Sequence, residues 1–176
     1  MKKIICIMAM VFGLAFCLSA QNAPKEDLDS QYAVNLLKKG ETAPDFAIPS
    51  PDGKIVRLSD YRGKYVVIDF WASWCRDCRA DIPTIKAAAE KFGKKGVVFI
   101  GISFDEDKEA WTQTIEKYGL DYVHASELKK WKTTDVSPKY RLDWIPTMYV
   151  IDPKGKVVLA TVESEKMVKT LESLVK

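Results

Sequence analysis

Two rhythms of apolar residues alternate along this chain. Tyr65-Val66-Val67-Ile68-Asp69-Phe70-Trp71 and Gly96-Val97-Val98-Phe99-Ile100-Gly101-Ile102-Ser103 are nearly continuous apolar, β-branched and aromatic runs, as in interior parallel strands. Between them Ala80, Ile82, Ile85, Ala88, Ala89 and Phe92 recur at helical spacing up to Gly93, with Pro83 predicting a kink. Residues 107–118 read as a second helix, stopped by Gly119. Strand, helix, strand, helix with short links predicts an α/β layered fold with right-handed crossovers.

Turn chemistry punctuates the flanks. Pro49-Ser50-Pro51-Asp52-Gly53 separates Asp45-Phe46-Ala47-Ile48 from Lys54-Ile55-Val56-Arg57, predicting a small hairpin, and residues 58–63 form a turn after it. Asp152-Pro153-Lys154-Gly155 separates Thr147-Met148-Tyr149-Val150-Ile151 from Lys156-Val157-Val158-Leu159-Ala160, a second antiparallel hairpin. Residues 163–175 then place Met167, Val168, Leu171 and Val175 on one face of a closing helix. Tyr122-Val123-His124 predicts a short strand, a loop or helix follows through Leu128 and Trp131, and Ser137-Pro138-Lys139-Tyr140 opens a short helix.

The N-terminus has a different pattern. Met1-Lys2-Lys3 precedes a core of about 15 apolar residues and then Ser19-Ala20, which predicts a secretory signal peptide over residues 1–20, cleaved after Ala20. An uncleaved anchor is the alternative, although the run is short of the about 20 residues that span a bilayer. Residues 21–39 are polar apart from Leu28, Tyr32, Val34, Leu36 and Leu37, which suits a tether followed by a short amphipathic helix. A single domain is expected over residues 40–176, exported to a periplasmic or other extracytoplasmic space.

Charge excludes some partners. The chain has 27 basic and 24 acidic residues, and removing Lys2 and Lys3 leaves 25 against 24. That balance favours neither nucleic acid nor an anionic surface, and a monomer is expected.

Four cysteines occur, and Cys6 and Cys17 lie inside the presumed signal, which leaves Cys75 and Cys78. In Trp74-Cys75-Arg76-Asp77-Cys78 the pair sits where the strand pattern gives way to the helical one. Residues i and i+3 share a helix face, so one turn can hold them as dithiol or disulfide. The reading is a redox switch, against an inert structural disulfide or half of a zinc site. Zinc needs four ligands where only these two cysteines and the single His124 remain, so no metal is expected and His124 stays unassigned.

Val67-Ile68-Asp69-Phe70-Trp71-Ala72-Ser73-Trp74-Cys75, with Cys78, Pro83 and Ile145-Pro146-Thr147, resembles the exported TlpA/ResA-like branch of the thioredoxin superfamily. The resemblance implies a thioredoxin-like central mixed sheet flanked by helices, with the first hairpin as an N-terminal extension. It implies a thiol–disulfide oxidoreductase acting on cysteine-containing proteins, without a cofactor beyond its own redox-active disulfide. A membrane-bound electron donor would fit that setting. Cys75, exposed at the mouth of the helix near Arg76 and Arg79, is the expected nucleophile, since free N–H groups and the helix dipole stabilise a thiolate there. Cys78, one turn in and less exposed, is the expected resolving thiol.

Asp69 matches by position the buried aspartate of thioredoxin and is expected to relay a proton, against an outward-pointing strand residue. Asp81 lies where ResA-like proteins carry an acid and is either a second relay or a solvated helix residue. Pro146 matches the superfamily's cis-proline, so Ile145, Pro146 and Trp74 are expected to bind the substrate chain, with Trp71 in the core and Trp144 nearby. Ile145-Pro146-Thr147 suggests a reductant, whereas Arg76-Asp77 departs from thioredoxin's Gly-Pro and leaves the potential open. Two alternatives stand beside this. One is a peroxiredoxin-like peroxidase, suggested by Ala43-Pro44-Asp45-Phe46 but opposed by Ala72 where a Thr or Ser is required, and the other is a non-catalytic binding module.

Overall fold

Strand β3 (Val66–Trp71) organises the domain because all six of its residues are buried, which requires covering layers on both faces. The structure is a computed structural model that describes residues 27–176. The expected signal peptide, Cys6, Cys17 and the first part of the tether lie outside the described residues.

The elements follow in the order α1 (Asp29–Tyr32), β1 (Ala47–Pro49), β2 (Ile55–Arg57), a 3₁₀ turn (Leu58–Tyr61), β3, α2 (Arg76–Gly93), β4 (Val98–Ser103), α3 (Lys108–Tyr118), β5 (Val123–Ser126), α4 (Val136–Lys139), β6 (Thr147–Ile151), β7 (Val157–Thr161) and α5 (Ser164–Leu174). The five-stranded sheet has the order β5-β4-β3-β6-β7, and β1 and β2 form a separate antiparallel pair. β3 runs parallel to β4 and antiparallel to β6, so the sheet is mixed. Its parallel part is built by the α2 and α3 crossovers.

Local chemistry sets the helix limits. The Asp107 carboxylate caps α3 by accepting from the Glu109 N–H at 2.8 Å, and Gly119 ends it in the left-handed region at φ 59°. α2 runs for 18 residues through Pro83 without ending there. The segment around Leu128 and Trp131 is loop, with Leu128 and Lys132 at positive φ.

The strands divide their side chains between two cores. Ile68, Phe70, Ile100, Ile102 and Tyr149 pack with Trp111 of α3 and with Val136 and Tyr140. Val67, Phe99, Met148 and Val150 pack with Ile85, Ala88 and Phe92 of α2 and Met167 and Leu171 of α5. Asp69 alternates onto this second side, in register with Gly101 and Met148.

The described part of the expected tether is docked. Asp29 accepts from Thr161 Oγ1 at 2.8 Å, from the Val162 N–H at 2.8 Å and from Lys166 Nζ at 2.8 Å. Leu36 and Leu37 are buried, and the Leu37 N–H donates to Tyr149 Oη at 3.1 Å. The packed unit therefore starts near Asp29, ahead of the expected Gly40, because the Asp29 carboxylate and the Leu37 N–H find partners more than 100 residues further along the chain.

Candidate active site

Cys75 is the N-cap of α2 in extended conformation, so the helix begins immediately after it. The Cys78 N–H points at Cys75 Sγ across 3.1 Å, the contact that would hold an anion on that sulfur. Cys75 and Cys78 are joined as a disulfide, with Cα atoms 5.3 Å apart across a single turn. Cys75 is 7% exposed and Cys78 3%. The expected exposure of Cys75 is corrected by this burial: the loop ahead of β6 closes over it, with the Ile145 carbonyl oxygen 3.9 Å from Cys75 Sγ. The Ile145–Pro146 bond in that loop is cis.

A carboxylate with no sequence signature of its role braces the approach to Cys75. Asp105, buried just beyond the C-terminal end of β4, accepts from the Ser73 N–H at 3.0 Å, Ser73 Oγ at 2.5 Å and Ser103 Oγ at 2.6 Å. Arg79 Nη1 then donates to the Ser73 carbonyl at 2.7 Å, tying the loop to the first turn of α2. The only available hint was its place at the end of a parallel strand, where sites gather in α/β sheets.

Asp69, in the middle of β3, is 7% exposed, which removes the outward-pointing alternative. Burial, and then the negative charge of Asp81, push its carboxyl up to about 7. Asp81 is half-buried and accepts from Ser164 Oγ of α5 at 3.0 Å, so it is not a freely solvated helix acid. Leu28, Tyr32, Asp77, Asp81, Trp144 and Pro146 are among the residues lining a groove of about 410 Å³ beside the pair. Trp74 is 56% exposed while Trp71 is buried, and Trp144 stacks on Tyr32 with ring centroids 4.5 Å apart.

Residues 39–160 match the AhpC/TSA family. The chain belongs to that family. Among its relatives, thiol-disulfide oxidoreductase ResA of Bacillus subtilis (strain 168) is 30% identical over 144 residues, 80% of this chain and 77% of that one. ResA of Geobacillus thermodenitrificans (strain NG80-2) is 31% identical over 138 residues, 77% of each chain. The thioredoxin domain of a thiol-disulfide oxidoreductase from Bacteroides vulgatus superposes with a TM-score of 0.73 at 31% identity, covering 80% of this chain and 99% of that domain. With the Cys75–Cys78 disulfide, these relations make the chain a thiol–disulfide oxidoreductase of thioredoxin fold.

Other side chains of this AhpC/TSA family member fall away from the sulfurs. His124 is buried with Nε2 3.1 Å from the Leu120 carbonyl oxygen, and burial lowers its pKa to about 4, so it is a neutral core histidine. Among the described residues, the group whose carboxylates could share an ion is Asp27, Asp29 and Glu163. Lys166 Nζ already bonds all three, at 2.5, 2.8 and 2.7 Å.

Proposed function

We propose that this oxidoreductase is exported and reduces disulfides of partner proteins through Cys75 and Cys78. The observation that carries the reading is Cys75 Sγ at the N-cap of α2, facing the Cys78 N–H on one side and the Ile145 carbonyl on the other.

In the reduced protein the Cys75 thiolate attacks one sulfur of the partner's disulfide. That S–S bond breaks, the partner's other sulfur leaves as a thiolate and takes a proton, and a Cys75–partner mixed disulfide remains. Cys78 then loses its proton to the Asp69 carboxylate and attacks Cys75 Sγ. The second partner thiolate departs, and Cys75–Cys78 is left as the disulfide that an external dithiol, such as a membrane-bound donor, must reduce again. Two electrons pass to the partner in each round. Asp69 is suited to accept the proton, because a carboxyl raised to about 7 lies much nearer a thiol's ordinary value of about 8.5 than a solvated one does. Asp81, close enough for its charge to act on Asp69, is the second relay.

Ile145 and Pro146 offer backbone to the partner chain at the mouth of the pair, and exposed Trp74 adds an aromatic contact. Export is supported by the basic, apolar and small-residue order of residues 1–20. No helix among the described residues is long and apolar enough to cross a membrane.

Insulin reduction under dithiothreitol tests the chemistry. Cys75→Ser is expected to abolish the rise above the uncatalysed rate, and Cys78→Ser to accumulate mixed disulfides separable on non-reducing gels. Undiminished reduction by Cys75→Ser would overturn the proposal. An N-terminal sequence beginning at Gln21 in the secreted fraction tests export.

A further inference from the structure

Asp69, Gly101 and His124 form one cross-strand row, Asp69 pairing with Gly101 and Gly101 with His124. Their side-chain positions therefore point to the same side of the sheet, toward α2 and α5, and Trp71, two residues beyond Asp69, points there too. The middle of the row has no side chain. A Cβ on Gly101 would lie 2.8 Å from His124 Nδ1 and 3.1 Å from Trp71 Nε1, so two ring nitrogens converge on that one place.

Neither nitrogen has a hydrogen-bond partner within the protein, although both are buried. An unmet buried donor or acceptor is costly, and most buried polar groups have a partner, protein or water. Their polarities are complementary. The indole Nε1 can only donate. His124 Nε2 faces the Leu120 carbonyl, which can only accept, so the ring proton sits on Nε2 and Nδ1 presents its lone pair. A group that accepts from one nitrogen and donates to the other fits the gap.

We propose that the space over Gly101 holds one water molecule, which accepts from Trp71 Nε1, donates to His124 Nδ1 and turns its second O–H toward the Asp69 carboxylate. His124 and Gly101 are then positioning residues for the proton carrier. The two rings use one lone pair and one hydrogen of the water, which leaves an O–H on the side of Asp69 in the same row. A donor aimed at a carboxylate favours its ionised form and so opposes the burial and the Asp81 charge that hold the proton on. No charge enters the gap, since His124 is neutral.

Other groups also face this side. α2 brings Asp81 close enough for its charge to act on Asp69, and Lys86 Nζ of the same helix is held by the Tyr118 carbonyl at 2.9 Å. Tyr122 is kept protonated by burial and then by the Asp69 charge. β6 and α5 contribute Met148 and Met167, which do not titrate.

The inference rests on Asp69 being the proton carrier, and its test is independent of disulfide exchange. A high-resolution crystal structure of the oxidised protein is expected to show a water within hydrogen-bond distance of Trp71 Nε1, His124 Nδ1 and a carboxylate oxygen of Asp69. Rings in direct contact, or a gap without density, would overturn it without any variant having to fold. Carboxyl ¹³C titration of Asp69 gives the second readout. Gly101→Ala, whose methyl would press on the His124 ring and turn Nδ1 away, and His124→Leu, which removes the acceptor, are each expected to raise the Asp69 midpoint by about one pH unit. His124→Asn, whose Oδ1 can stand near the Nδ1 position, is expected to keep the wild-type midpoint. An unmoved midpoint in both Gly101→Ala and His124→Leu sinks the inference. Reductase activity surviving in Cys75→Ser sinks the proposed function instead, and leaves the water where it is.

Discussion

The two sides of the central sheet share strands and differ in what they bury. The side under α3 and α4 is apolar and aromatic: Phe70 packs against Phe104, Tyr140 and Tyr149 with ring centroids 5.1 to 6.1 Å apart. The side under α2 and α5 places Asp69 and His124 among Val67, Phe99 and Met148. Burial on the first side stabilises the fold, and on the second it also tunes protons. A mixed sheet covered on both faces keeps both dry, and this chain fills one with apolar and aromatic side chains and places an acid and a histidine on the other.

The largest effect separates the two sides. Phe70→Ala is expected to cost about 3–5 kcal/mol in urea unfolding, while the activity per folded molecule stays near wild type. A smaller loss, or an activity loss in the folded fraction, would blur the division.

The next tests concern pH, where the polar side carries two opposed contributions. Asp69 binds its proton more tightly folded, at about 7, than unfolded, at 3.8. Its stability contribution is therefore whole below about 4 and is lost as pH rises through about 7, an amplitude of about 4 kcal/mol. His124 binds a proton more weakly folded, at about 4, than at its ordinary 6.5. Its contribution is whole above 6.5 and is lost as pH falls through about 4, about 3 kcal/mol in the other direction. The two slopes offset each other between pH 4 and 6.5. Asp69→Asn is expected to expose a stability that climbs with pH over that window, and His124→Asn one that falls. Parallel curves for wild type and both variants, measured on the oxidised protein, would refute the assignment.

Asp105→Ala is expected to cost about 2 kcal/mol by leaving the Ser73 donors unmet, and to loosen the turn before Cys75. Faster alkylation of Cys75 in the reduced variant checks the second part. The smallest effect is at the rim, where Tyr32→Ala removes a stacked partner of Trp144 and is expected to cost about 1 kcal/mol. Near-neutral behaviour at Asp105 together with a large loss at Tyr32 would reverse the ranking of loop support over rim.

Much of this arrangement was legible in order along the chain. β3 and α2 were readable because an unbroken apolar run and a 3.6-residue repeat are local signals, and both hairpins because Pro, Asp and Gly mark their turns. Asp105 was not readable, since its partner Ser73 is 32 residues away. The docking of Leu37 is not legible within the polar segment around it, because the Tyr149 hydroxyl that its N–H meets is 112 residues away. The closure over Cys75 also escaped, for it depends on where the 145–146 loop comes to rest.

Sequence by itself determined that Cys75 and Cys78 share one helical turn next to a buried strand, because that follows from spacing and the alternation of residue types. Only the tertiary structure decided how tightly the buried acid and histidine hold their protons. The affinity of Asp69 for its proton depends on the burial and charge imposed by groups from other elements, among them Asp81 on α2. The neutrality of His124 likewise follows from its packing, with its ring held on the carbonyl that follows α3. Desolvation is a property of the surroundings rather than of the residue, and the surroundings exist only once the crossovers have closed.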